Sequence, residues 1–439
     1  MANKKALSIG VYTFLSYFAC YTARNIISAI MPQMAERNIY TLESLGIMGS
    51  AFFFAYGCGQ LVNGMIGNYV PAKYMVAAGL SLSGALIIIF PFCRAVPPAI
   101  LLWGACGFLG SMLWAPITRL VGENTETGTG RLILTALSFA SNVGMAAAYG
   151  FAIISAATNN WKTGFYISGC MIIIIAAAWY AGISRMEKQG MLSAGEKAGV
   201  GSGPGVPDAP RGVGADTDAP LGVGAVTSAP QRVVAAKPVF FRHVTPGFIF
   251  MAGVTGLNGI IRNGVNFWVP VFLTDILSSG DVKIVSSLAA AVPFVNMAGV
   301  VASVYMLKRI SGKGGDGKLC AYLSSVSSVM FCVLLLTNDS FPIISIAALF
   351  IASACMSGVT NTVFCIFVLR FVSTGNISGI SGSLDFISYV SGAAASFVFG
   401  MALSSGWAAI ISIWLAAALL SVMLSYLTNN YYRNEVRVR

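Results

Sequence analysis

The chain has 439 residues, of which 56% are hydrophobic and only 9% charged, with a mean hydropathy of +0.78. A soluble domain carries about 25% charged residues, so the composition excludes a water-soluble enzyme of this length, a disordered chain and a disulfide-built scaffold. The net charge of +11 comes from 26 Lys and Arg against 15 Asp and Glu, and in so apolar a chain the basic residues bear first on membrane topology.

A spanning helix needs about 20 mostly apolar residues. Runs such as Ile87–Phe92 and Met171–Ala178 are continuous rather than alternating, which favours helices over the strands of a membrane barrel. In chain order, hydropathy predicts spans over 7–32, 44–67, 73–93, 97–121, 131–157 and 161–184, then 245–273, 284–307, 318–337, 341–371, 376–403 and 406–428. Lys4 and Lys5 before an apolar stretch have the look of a signal peptide. That stretch runs on to Pro32, contains Arg24 and has no small-residue cleavage site, so an uncleaved first span is expected. The fold class is thus an all-α membrane protein with twelve transmembrane helices. The expected division is a six-helix bundle over 1–184, a cytoplasmic linker over 185–243 and a second six-helix bundle over 244–439.

The linker is rich in Gly, Pro, Ala and Val. It carries Ala209-Pro210-Arg211-Gly212-Val213-Gly214, then Ala219-Pro220-Leu221-Gly222-Val223-Gly224, then Ala229-Pro230. Such a composition buries no core and reads as a flexible tether. If both termini are cytoplasmic, Arg37, Arg94, Lys162 and Lys283 fall outside and Arg24 and Arg262 fall within spans. The other twenty of the 26 basic residues lie on the cytoplasmic side. This is a positive-inside bias, and it explains the net charge without any nucleic acid.

The nine cysteines lie mostly in apolar runs (Cys58, Cys170, Cys320, Cys332, Cys355, Cys365), with no metal-ligand spacing and a single histidine, His243. They read as small hydrophobes in helix packing. There is no phosphate-binding Walker loop, no dinucleotide fingerprint, no HExxH and no Ser/His/Asp set. No enzyme, metal or cofactor is expected.

The first span carries Arg24-Asn25 and then Pro32; the seventh carries Arg262-Asn263 and then Pro270, at the same spacing. Equivalent helices of the two halves therefore each hold one arginine, the pattern of a two-repeat transporter with its site at the repeat interface. Arginine cannot shed its proton to escape the cost of burial. Only one acidic residue, Asp385, falls within a predicted span, so at least one arginine lacks an intramembrane counter-charge. An anionic substrate would supply it. Two bidentate forks suit a divalent oxyanion, and phosphate better than a monocarboxylate.

Tyr17, Tyr21 and Arg24 share one helix face, as do Tyr56 with Gln60 and Asp385 with Tyr389. Tyrosine hydroxyls at these places are candidate substrate contacts. Asp385 has three open readings: proton relay, contact for substrate hydroxyls, or salt-bridge partner of an arginine.

These residues resemble the organophosphate:phosphate antiporter family of the major facilitator superfamily, which includes glycerol-3-phosphate and hexose-phosphate transporters. The resemblance is carried by Tyr17-x3-Tyr21-x2-Arg24-Asn25 with Met31-Pro32, by Ala55-Tyr56-Gly57 with Gly64, and by Trp114-Ala115-Pro116 with Arg119. It continues in Ser141-Asn142-Val143-Gly144, in Arg262-Asn263-Gly264 with Trp268-x-Pro270, and in Tyr389. It implies two pseudo-symmetric six-helix bundles around a midplane site and exchange of an organophosphate for inorganic phosphate by alternating access. It also implies that Arg24 and Arg262 bind phosphate, with Trp114, Ser141 and Tyr389 at the site. The chain departs from the family at Ser141, where glycerol-phosphate carriers have histidine, and at Gln60 and Asn25, where family lysines stand. The gating loops also differ, reading Gly67-Asn68-Tyr69 and Leu307-Lys308-Arg309. The missing lysines and histidine keep open a carrier of another organic anion, and the presence of sensors in the family keeps open a membrane sensor of a sugar phosphate. A proton-coupled symporter using Asp385 is a lesser alternative. The expected setting is a multi-pass monomer in a bacterial inner membrane, whose partners are the lipid bilayer and a small anion.

Overall fold

The computed structural model describes residues 2–67, 69–192, 245–277, 282–310, 315–338, 340–374 and 377–435. The repeat-bearing part of the predicted linker lies outside these residues. In the first half the helices are α1 (Ala2–Glu36), α2 (Leu42–Ile66), α3 (Ala72–Ile89), α4 (Val96–Gly110), α5 (Trp114–Asn124), α6 (Thr127–Ala157) and α7 (Lys162–Lys188). In the second half they are α8 (Pro246–Leu277), α9 (Val282–Arg309), α10 (Gly315–Thr337), α11 (Pro342–Cys365), α12 (Ile377–Ala402) and α13 (Trp407–Glu435).

Among the described residues eleven segments are long and apolar enough to cross a membrane, α4 and α5 together forming one of them. Helix α8, with 32 residues, has the length. It falls short in apolarity because Asn258, Arg262, Asn263 and Asn266 interrupt it, and it is one of the two helices that build the site's cationic pair.

Two predicted spans are interrupted. The fourth breaks at residues 111–113, so that Pro116 falls in the first turn of α5. A proline there needs no N–H partner, whereas inside a continuous helix it would break one bond and clash with the preceding turn. The tenth ends at Cys365 and continues as a 3-10 turn over Phe367–Thr374. That turn brings Arg370 Nε and Nη2 to Asp316 at 2.6 and 2.5 Å, and its guanidinium carbon to within 4.6 Å of the Tyr432 ring centre.

Pro32, Pro270 and Pro293 lie inside α1, α8 and α9. Each lacks the N–H that would have bonded the carbonyl four residues earlier. In α8 this leaves the Asn266 carbonyl free, and Ser28 Oγ and Tyr149 OH from the first half approach it at 3.4 and 3.5 Å. Ser28 Oγ also donates to the Phe267 carbonyl at 2.6 Å. The proline-marked stretches of α1 and α8 are thereby stitched across the two halves.

Within the halves α1 packs on α6, α3 on α7 and α10 on α13; between them α2 packs on α12 and α6 on α9. Lipid-like surroundings offer no hydrophobic drive between helices, so close backbone approach at small residues supplies the packing. A Cβ added to Gly299 would lie 2.0 Å from the Ala354 carbonyl oxygen, backbone that cannot step aside. Gly299→Ala is expected to destabilise the protein by about 1–3 kcal/mol, read as a lower thermal unfolding midpoint in detergent. Gly150→Ala, whose added Cβ meets nothing within 4 Å, should leave it unchanged. The outer surface stays apolar, with Leu101, Leu336 and Ile343 exposed by 75%, 77% and 83%, as a lipid-facing surface requires.

The α2–α12 pair is antiparallel and splayed. At one end an added Cβ on Gly46 would lie 2.8 Å from Gly400 Cα; midway, one on Gly57 would lie 3.2 Å from Tyr389 Cβ. In the same register Gly64 stands opposite Gly382, and there neither would meet anything within 4 Å. The two halves touch at the end away from the termini and part at the terminus-bearing end.

Candidate anion-binding site

A cavity of about 50 Å³ lies between the halves, lined by Tyr21, Arg24, Asn25, Phe53, Met145, Arg262, Asn266 and Phe267. That volume holds a few waters or one small oxyanion group. Both arginines line it, one from each half, on the face that the helical spacing of Tyr21 and Arg24 predicts.

The two arginines are held differently. Arg24 Nη1 donates to Tyr389 OH at 2.9 Å and Nη2 donates to Asn263 Oδ1 at 3.2 Å. Its guanidinium carbon lies 5.4, 5.2, 5.5 and 5.0 Å from the ring centres of Tyr21, Phe53, Tyr56 and Tyr389. Aromatic faces stabilise a cation without neutralising it. Asn263 is in turn fixed by its Nδ2, which donates to the Ser388 carbonyl at 3.2 Å. Arg262 has no such cage: no hydrogen bond or ion pair to it occurs among the described residues, and its Nε is buried without a partner. The Arg-Asn repeat is therefore used asymmetrically, since Asn25 Nδ2 turns back to the Tyr21 carbonyl at 2.7 Å.

The other predicted site residues spread around this centre. Tyr56 and Tyr389 pack ring to ring at 4.6 Å, closing the α2–α12 contact beside Arg24. Tyr17 packs on Tyr21 at 5.1 Å and on Trp114 at 5.6 Å, extending the aromatic wall away from the cavity. Asp385 stands one turn from Tyr389 on α12 and forms no ion pair among the described residues. Gln60 does not line the cavity. Ser141 Oγ donates to the Ser138 carbonyl of its own helix at 2.8 Å and is also outside the lining.

Phe53, Met145, Asn266 and Phe267 line the cavity without having been singled out in the sequence. Asn266 was findable: it stands four residues after Arg262, one turn along the same face, by the spacing that groups Tyr17, Tyr21 and Arg24. Phe53, three residues before Tyr56, follows the same way. Met145 and Phe267 carry no such signal, because apolar residues are the rule in these helices.

Two helical bundles enclosing a cationic cavity at their interface define a membrane carrier. Residues 13–396 match the Major Facilitator Superfamily, and the chain belongs to it. Among solved structures it resembles a bacterial homologue of the human lysosomal transporter Spinster, in an inward-facing and unoccupied conformation. The TM-score is 0.72 at 10% identity, over 98% of each chain. The nucleoside transporter NupG superposes with a TM-score of 0.69 at 13% identity, over 97% of this chain and 98% of that one. Identities this low establish the fold alone.

Among curated proteins, the chain is 27% identical over 165 residues to a probable hexose phosphate transport protein of Chlamydia trachomatis, covering 37% of this chain and 36% of that one. It is 26% identical over 165 residues to the membrane sensor protein UhpC of Escherichia coli, covering 37% of each chain. It is 26% identical over 188 residues to the glycerol-3-phosphate transporter of Haemophilus influenzae, covering 38% of each. The matches thus span just over a third of these relatives' length. The fold is that of membrane transporters, the relatives are transport proteins and a membrane sensor protein, and the hexose-phosphate and glycerol-phosphate names agree with the family that the sequence motifs resemble.

Proposed function

We propose that the protein exchanges an organophosphate, of sugar-phosphate or glycerol-phosphate type, for inorganic phosphate by alternating access. The observation that carries this reading is that Arg24 and Arg262, which form no ion pair among the described residues, line one cavity from opposite halves. Their like charges oppose closure of the empty site, and a divalent oxyanion between them offsets that repulsion. The carrier then crosses between its two states only when loaded, which makes transport an obligate exchange without protons. With both termini in the cytoplasm of a bacterial inner membrane, the splayed end of α2 and α12 faces inward. The division into bundles 1–184 and 244–439 joined by a tether belongs to the same proposal; deleting residues 195–235 is expected to leave exchange rates within about twofold.

The test is uptake of radiolabelled phosphate into proteoliposomes preloaded with phosphate or with buffer alone. Uptake only with internal phosphate supports the exchanger. Uptake independent of internal anion, or driven by a proton gradient, overturns it. A second reading, a sugar-phosphate sensor, is favoured by the match to a membrane sensor protein at nearly the same identity as the transporters. Phosphate binding without flux under either loading would select it.

A further inference from the structure

A polar chain leads away from the cavity into the second half. Asn266 Oδ1 accepts from Asn296 Nδ2 at 3.2 Å, and Asn296 Oδ1 accepts from Ser353 Oγ at 2.7 Å. Asn266 is on α8, Asn296 on α9 and Ser353 on α11. Asn296 and Ser353 are buried and outside the cavity lining. An amide with its oxygen engaged presents its NH2 group on the other side. No acceptor among the described residues meets Asn266 Nδ2, and Asn266 lines the cavity one helical turn from Arg262.

We infer that Asn266 is a substrate-contacting donor for the oxyanion, and that Asn296 and Ser353 are positioning residues that keep its NH2 group turned to the cavity. The inference rests on the anion-carrier reading and adds to it the group that fixes how the anion sits. The Arg262 fork and the Asn266 amide form a row of neutral and charged donors along one face of α8. An oxyanion with several lone pairs accepts from both. A freely rotating amide would present its oxygen half the time and repel the anion; the relay removes that orientation. The desolvated interior makes such a fixed dipole worth more than it is in water.

The experiment measures KM and maximal rate of phosphate:phosphate exchange in proteoliposomes, with thermal unfolding in detergent reporting the fold. Asn266→Ala should raise KM about tenfold, as loss of a hydrogen bond to a charged group does. Ser353→Ala, remote from the cavity, should raise KM a few-fold and leave the maximal rate unchanged. Asn296→Asp offers only acceptors, so the Asn266 NH2 turns toward it and the carbonyl oxygen turns to the substrate. KM should then rise at least as far as in Asn266→Ala. Combined with Asn266→Ala, the same Asn296→Asp change should add nothing further. An unchanged KM in stably folded Asn266→Ala overturns the inference while leaving the carrier reading intact. So does an equal effect of Asn296→Asp with and without Asn266. Absence of phosphate exchange in the unaltered protein overturns the carrier reading and this inference together.

Discussion

Arg262→Lys is expected to abolish phosphate exchange, with rates falling on the order of 100-fold or more, as loss of a bidentate charged contact implies. Lysine keeps the positive charge but replaces a planar fork of donors by a single ammonium. If Arg262 served only to balance charge or to pack, the lysine variant would retain function. Its surroundings argue against that role: no acceptor among the described residues meets it, and its Nε is buried without a partner. Leaving a buried donor unmade is costly, so the site is incomplete until an anion arrives. Arg24→Lys is expected to be equally inactive, but for a partly different reason. Arg24 also ties Tyr389 on α12 and Asn263 on α8 to the first half, so its lysine variant should unfold at lower temperature as well. Arg262→Lys breaks no such tie and should unfold as the parent does. Near-normal exchange in either variant, measured in proteoliposomes, would remove the proposed mechanism.

Much of the architecture is written in hydropathy, because a bilayer leaves helices few alternatives. Ten of the predicted spans correspond to single helices whose ends lie within seven residues of the expected ones. The interruptions at 111–113 and after Cys365 escaped because hydropathy registers apolar length and not hydrogen-bond continuity. The broken fourth span was nevertheless marked by Pro116. The buried arginines were legible because an unpaired charge in a span is rare, and the tyrosines on their face because helical spacing is regular. What was not legible is the asymmetry. Arg24-Asn25 and Arg262-Asn263 are identical in sequence, yet Asn263 crosses to Arg24 while Asn25 folds back on its own helix. That difference arises from tertiary neighbours, Ser388 among them, which no local pattern encodes. The relay through Asn296 and Ser353 was hidden for the same reason: its three members lie on three helices.

Gly46→Leu is expected to shift the protein away from the state described here, and Gly64→Leu to hold it there. Both glycines are on α2 and face α12, but at opposite ends of a splayed pair. A Cβ on Gly46 would lie 2.8 Å from both Gly400 Cα and the Ser396 carbonyl oxygen, so even alanine forces the two backbones apart. Overpacking of this kind costs about 1–3 kcal/mol, enough to move a two-state balance roughly five- to 150-fold. Because the contact exists only while this end is closed, the penalty falls on this state and not on one open at that end. Gly64 has open space here, and a leucine is accommodated. Closing the terminus-bearing end would press it against the region of Gly382, so its penalty falls on the opposite state. Spin labels at Thr41 and Ser404, beside the tightly packed ends of α2 and α12, report the difference in a background cleared of reactive cysteines. The label-to-label distance should lengthen in Gly46→Leu and stay short in Gly64→Leu, while both lose exchange. Unchanged distances together with unchanged exchange in both variants would mean that this helix pair does not gate the site. A distance lengthened in Gly46→Leu and still short in Gly64→Leu would show that two glycines on one helix set the two sides of the cycle, because a packed interface has discrete arrangements rather than a continuum of them.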